Sequence, residues 1–204
     1  QAEAEEAVRS GCEHVMLTDR NVDEDHVPLP MILATGAVHS HLVSQQLRTF
    51  ASVNVASGEC LDVHHFAVLI GVGATTVNAY VAESAIADRH ARGLLPGLEL
   101  VYAVGNYRKA IEDGLLKIMS KMGISVITSY RGGYNFEALG LSRSLVATYF
   151  PPMSSRISGL GLKGIAAGVV KMHKKAFAFD DVHLPVGGFF RYRKSGERHS
   201  FDGQ

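Results

Sequence analysis

Apolar positions along the first 130 residues switch repeatedly between a helical and an alternating period, and the switches predict the elements. Ala2 to Ser10 is rich in Ala and Glu, both strong helix formers, and Gly11 suits a helix stop. The run EHVMLT, Glu13 to Thr18, predicts a short buried strand. A polar loop follows from Asp19 to Pro30, where Asp and Pro break regular structure. Met31 to Leu47 places Met31, Ala34, Val38 and Leu42 on one helical face. Phe50 to Ala56 alternates as a strand does, and Ser57-Gly58 ends it. Leu61 to Ile70 predicts an apolar helix ended by Gly71 and Gly73, Thr75 to Tyr80 a strand, and Val81 to Arg92 a helix. The strongest helical pattern runs from Tyr107 to Met122, with Ile111, Leu115, Ile118 and Met122 as the stripe expected to face the sheet. Asp113 and Lys117 predict an ion pair on its outer face, and Gly123 suits the left-handed closing position. Ile124 to Thr128 (ISVIT) predicts a fourth strand.

Helices alternating with apolar strands imply the α/β class with a mainly parallel sheet. Four strands fall short of a complete (β/α)8 barrel, which takes about 250 residues, so the expected architecture is partial and barrel-like. Residues 1–130 form this α/β part. Residues 131–185 are expected to be a connecting segment of short helices, Tyr134 to Leu139, Ser142 to Tyr149 and Leu162 to Lys175, among Gly- and Pro-rich turns. Residues 186–204 are expected to hold a hairpin, Val186 to Phe201, turned at Lys194 to Glu197.

Composition narrows the function classes. Lys plus Arg and Asp plus Glu are both 20, so the chain is formally neutral, which argues against a general nucleic-acid or anionic-membrane binder. Hydrophobic residues at 47% and charged residues at 20% suit a packed core, and no apolar run approaches the ~18 residues that span a bilayer. Two cysteines, Cys12 and Cys60, are too few for a disulfide scaffold and point to a reducing, cytoplasmic compartment. The chain starts at Gln1 inside a helix-like run, without an initiator Met or signal peptide, as expected of a piece of something longer.

Spacing alone assembles no active site. His39 and His41 lie two apart and His64 and His65 are adjacent, so neither pair converges on one helix face as zinc ligands do. Two cysteines cannot ligate an iron–sulfur cluster, and both are expected to be buried structural thiols. Gly159 to Gly164 matches G-x-G-x-x-G, but a dinucleotide fingerprint needs a preceding strand, and Pro151-Pro152 and the serines before it predict turns. The tail interleaves Phe189, Phe190 and Tyr192 with Arg191, Arg193, Lys194 and Arg198. That pattern could stack single-stranded nucleic acid, but a hairpin with one apolar and one solvated basic face accounts for it.

Four stretches carry a resemblance: LPMILATGAVHSHLVSQQLRT (Leu29 to Thr49), VHHFAVLIGVGATTVNAYVA (Val63 to Ala82), AIEDGLLKIMSKMGISVITSYRGGYNFEALGL (Ala110 to Leu141), and SRISGLGLKGI followed by PVGGFFRYRKSGERHSF. In colinear order over essentially the whole chain, they resemble the large subunit of bacterial glutamate synthase. The resemblance implies the later central domain and the lead-in to the FMN barrel. It implies a parent enzyme that makes L-glutamate from L-glutamine and 2-oxoglutarate, with an N-terminal glutaminase domain, an ammonia tunnel, FMN and a 3Fe-4S cluster. Electrons would come from NADPH through a small partner subunit. The glutaminase nucleophile, the cluster cysteines and the FMN phosphate loop of that family match no residue here, so no catalytic, cofactor-binding or metal-binding residue is assigned.

The same resemblance sets a structural expectation. Leu42 to Tyr80 is similar in pattern to the later strands of the family's FMN barrel, where a Gly-rich turn and the following helix cradle the flavin phosphate. The equivalent turn here is Ala56-Ser57-Gly58-Glu59, where Glu59 would repel a phosphate. The expected role is therefore a scaffold that positions the glutaminase and FMN domains and walls the ammonia path, with the Leu61 to Ile70 helix and the Ser120 to Gly123 turn as wall candidates. The competing reading is a free-standing flavin- or nucleotide-binding enzyme using Gly159 to Gly164.

Overall fold

The computed structural model describes residues 1–178, 186–188, 191–197 and 199. Three strands, β1 (His14–Thr18), β2 (Ser52–Ala56) and β3 (Thr76–Asn78), form one sheet in that order with both pairs parallel. Parallel neighbours need long crossovers, and here these are the helices α2 (Met31–Ser44) and α3 (Val63–Gly71). Helix α1 (Ala2–Arg9) precedes the sheet and buries Ala4 and Val8. Val53 and Val55 of the central strand are sealed from solvent. Ala4, Val8, Val38 and Leu42 pack with Val15 and Val53, while Met31, Leu69, Ala74 and Ala82 pack with Val55. β1 is an edge strand in which only Val15 is buried, so the buried strand expected there is half-exposed.

After α4 (Tyr80–Ala91) comes α5 (Leu100–Lys121), which begins at Leu100 rather than Tyr107 because Gly105 lies where nothing packs on it and costs only propensity. Its inner stripe is Ala103, Ile111 and Met119, with Leu115 and Ile118 partly buried; Met122 is exposed. The stripe lies on α3 rather than flat on the sheet. Gly114 permits that approach, since a Cβ there would collide with the Val63 side chain. Asp113 pairs with Lys109 at 3.0 Å, not with Lys117. Gly123 follows the helix at φ +71°, as the closing position requires.

The second half departs from the pattern. Ile124 to Thr128 forms no strand; the chain turns into the short helix α6 (Ile127–Tyr130), which leaves Val126 and Ile127 exposed. Tyr130 explains the turn: it is completely buried, donates to the Ala67 carbonyl at 3.2 Å and meets Phe136 edge-on. The helix expected over Tyr134 to Leu139 is instead the strand β4 (Glu137–Leu141), paired in parallel with β5 (Ser154–Leu160) across the helix α7 (Arg143–Tyr149). Residues that favour a helix in isolation thus pair as a strand because a partner edge is available. The register is irregular, and a Cβ at Gly159 would strike the Gly140 carbonyl. Pro151 and Pro152 sit in the turn before β5, where they cost no ladder bond. Residues 131–185 are therefore not purely helical. Helix α8 (Leu162–Ala176) closes the described fold, its His173 bonded to the Asp23 carbonyl at 2.7 Å.

Of the expected hairpin, Phe189, Phe190, Arg198 and residues 200–204 lie outside the described residues. Among the rest, Gly196 N–H donates to the Arg193 carbonyl and Glu197 N–H to the Gly187 carbonyl, with no strand between them.

Candidate functional site

Polar side chains gather at the two ends of the three-stranded sheet. At the C-terminal end, where open α/β sheets and barrels place their ligands, β1 runs into Asp19 and β2 into Ser57-Gly58. The Asp19 carboxylate accepts from Ser57 Oγ at 2.9 Å, from the Gly58 N–H through both oxygens at 3.0 and 2.9 Å, and from the Tyr80 hydroxyl at 2.8 Å. The Arg20 guanidinium lies 4.4 Å from the centre of the Tyr80 ring. Burial, then the hydrogen bond to Asp19 and its charge, push the Tyr80 hydroxyl up to about 12. Glu59, the acid expected to repel a phosphate, turns away to accept the Met31 N–H at 2.8 Å. That bond serves the start of α2, whose capping residue Pro30 offers no side-chain acceptor.

This geometry decides whether the turn fits a flavin phosphate. A phosphate in such a turn is held by backbone N–H groups at the loop and the following helix. Here the Gly58 N–H is already committed to a carboxylate of the same chain, and a second anion would meet Asp19 directly. At the start of α3, the His64 and His65 N–H groups go to the Asp62 carboxylate, while His65 Nδ1 accepts from the Asp62 N–H. The residues present do not fit FMN. Behind them Cys60 is sealed, and burial pushes its thiol up to about 11, which suits packing and not nucleophilic chemistry. Cys12, expected to be buried, is exposed.

The N-terminal end of the sheet is different. A cleft of about 610 Å³ opens there, lined by Glu13 and His14 at the start of β1, Arg48 to Ser52 leading into β2, Thr75 before β3, and His39, Thr128 and Arg131. Arg48 donates to His39 Nδ1 at 2.9 Å, the Ala51 carbonyl at 2.6 Å, the Gly73 carbonyl at 2.8 Å and Thr75 Oγ1 at 3.3 Å. Because His39 Nδ1 accepts, the ring is neutral with its proton on Nε2. Burial, reinforced by the charges of Arg48 and Arg131, pulls its pKa down to about 4. The ring is clamped: a Cβ at Gly73, where φ is +122°, would collide with it, and one at Gly132, where φ is +66°, would come within 2.9 Å. Periodicity missed this group because its members lie in separate segments. Its only signal was that Arg48 and Arg131 fall in two of the stretches that carry the family resemblance.

The other singled-out residues have separate engagements. His41 bonds Glu5 at 2.7 Å, and no three His, Cys, Asp or Glu residues that could hold a metal ion converge among the described residues. Gly159 to Gly164 does join a strand to a helix, contrary to expectation: Gly159 and Leu160 end β5, which runs into α8. Its first glycine, however, serves the close approach to β4, and a Cβ at Gly164 would press on Leu160 at 2.7 Å. Both glycines are explained by packing.

The chain matches the model of the glutamate synthase central domain over residues 1–142. It is 62% identical to the NADPH glutamate synthase large chain of Azospirillum brasilense, over 98% of this chain and 13% of that protein. It is 40% identical to the NADPH large chain of Bacillus subtilis, over 98% and 13%. It is also 38% identical to the NADH glutamate synthase of Schizosaccharomyces pombe, over 97% and 10%. The chain thus spans about an eighth or less of the length of these relatives. The match over residues 1–142, together with these identities over nearly the whole chain, makes the chain a member of the glutamate synthase central-domain family.

Proposed function

We propose that the chain serves as the central-domain part of a glutamate synthase large chain, an enzyme forming L-glutamate from L-glutamine and 2-oxoglutarate with electrons from NADPH. The similarity to the Azospirillum brasilense NADPH large chain supports that reading. Within it, the segment positions the glutaminase and FMN domains and walls the ammonia path. It supplies no catalytic residue, no flavin ligand and no cluster ligand; FMN and the 3Fe-4S cluster belong to other domains, and NADPH to the small subunit. Residues 1–130 are the α/β part, 131–185 the connecting part, and 186–204 the start of the FMN-barrel domain. The parent works in the cytoplasm; among the described residues no helix is long and apolar enough to cross a membrane.

The observation that carries the scaffold role is Asp19 seated on the Gly58 N–H. Such a role asks for rigid, water-excluding packing, and the α3 face offers it in Ala67, Leu69 and Ile70, all buried. The test is a visible-absorbance titration of the purified chain with FMN, alongside an assay for glutamate formed from glutamine and 2-oxoglutarate. The expected result is an unshifted flavin spectrum and no glutamate. A bound, shifted flavin peak would instead support the free-standing flavin enzyme.

A further inference from the structure

We infer that the cleft at the N-terminal end of the sheet is an oxyanion site, whose ligand is a carboxylate or phosphate group gripped by Arg131 and the unused edge of Arg48. Half-buried charges in proteins are normally paired, and among the described residues these two are not. All four hydrogen bonds of Arg48 go to neutral acceptors, which fix the guanidinium but leave its charge uncompensated. They use Nε and both kinds of terminal nitrogen, leaving one Nη1 proton for a ligand. The side chain of Arg131, also partly buried, makes no hydrogen bond or ion pair among the described residues. Burial, and after it the charge of the neighbouring Arg131, depress Arg48 below the usual guanidinium range.

Among the described residues nothing else in the cleft neutralises them. His39 is held as a neutral acceptor, and the glycines around its ring stop it from turning away. Glu13, the one carboxylate in the lining, stays exposed at the mouth and pairs with neither arginine. The hydroxyls of Thr49 and Thr128 line the same space without a hydrogen bond among the described residues, so they can donate to ligand oxygens. Two guanidiniums with hydroxyl donors and no acid seated on either of them match the planar, multi-acceptor geometry of carboxylate and phosphate groups. The opposite end of the sheet shows the contrast, since there the fold supplies its own carboxylate, Asp19.

The ligand group can come from a free small anion or from an acidic side chain elsewhere in the complete large chain. The experiment therefore uses that complete chain. Crystals grown without oxyanions are compared with crystals soaked in selenate, and binding of inorganic phosphate is measured by equilibrium dialysis for wild type, Arg131→Gln and Arg131→Lys. For a free anion, we expect anomalous selenium density against Arg48 and Arg131. Phosphate binding should weaken about tenfold or more in Arg131→Gln, the scale of one lost charged hydrogen bond, and less in Arg131→Lys. For an internal source, the unsoaked crystals show an Asp or Glu carboxylate from another domain on Arg131, and selenate does not enter. Three outcomes overturn the site: a cleft with no anion in either crystal, Glu13 folded onto Arg131, or, where no carboxylate of another domain fills the cleft, phosphate binding unchanged in Arg131→Gln.

Discussion

The two ends of the three-stranded sheet solve the same electrostatic problem in opposite ways. At the C-terminal end, the donors of Ser57, Gly58 and Tyr80 converge on Asp19, so the site is complete within the chain. At the N-terminal end, Arg48 is fixed by neutral acceptors and Arg131 stands beside it, so positive charge accumulates without a counter-ion among the described residues. The difference teaches that location on the fold does not fix function. The end where α/β sheets ordinarily bind ligands is closed, and the ordinarily structural end is open to one.

The comparison predicts different mutational responses. The largest effect is expected from Asp19→Ala, which strands the buried Ser57 hydroxyl and the Gly58 N–H. It should lower stability by about 3–4 kcal/mol, since several charge-assisted bonds to partly buried groups are lost together, as read by urea unfolding. A loss below about 1 kcal/mol, within the range of one ordinary hydrogen bond, would show that this end is not held by its carboxylate.

Next is the pH response of the opposite end. The folded pKa of His39, about 4, lies below its ordinary value of 6.5, so the unfolded state binds more protons between those limits. Its contribution is complete above pH 6.5 and is lost as pH falls toward 4, the loss reaching about 3 kcal/mol there. Unfolding curves of wild type and His39→Gln should therefore diverge in slope over that window and run parallel above it. Identical slopes would mean that the imidazole is not held neutral.

The smallest expected effect is Arg131→Gln. Removing an unpaired cation beside Arg48 should change stability by no more than about 0.5 kcal/mol, as for most substitutions without buried partners, or raise it slightly by relieving repulsion. A loss as large as that of Asp19→Ala would show that Arg131 has a structural partner, and the contrast between the two ends would collapse.

Outside the sheet, the described structure leaves Leu139, Ile157, Leu160 and Leu162 exposed on and beside the β4–β5 pair. These are the positions where sequence reasoning did worst. Glu137 to Leu141 has helix-forming composition and becomes a strand only because Ser154 to Leu160 lies beside it. Ile124 to Thr128 has strand composition and forms none, because Tyr130 draws the chain into the interior. Each choice turns on a contact with residues distant in the chain, which a local pattern cannot contain.

By itself the sequence determined the α/β class, the β1–α2–β2–α3–β3 alternation, the closure of α5 at Gly123 and the resemblance to glutamate synthase. Hydrophobic period, glycine placement and long colinear motifs are local or linear properties, so they survive being read in one dimension. Only the tertiary structure decided what the charged residues do. Asp19 and Gly58 are 39 residues apart, and Arg48 meets the Gly73 carbonyl 25 residues away. Whether an acid fills a loop or repels a ligand depends on distances and burial, which exist only once the sheet has brought its strand ends together.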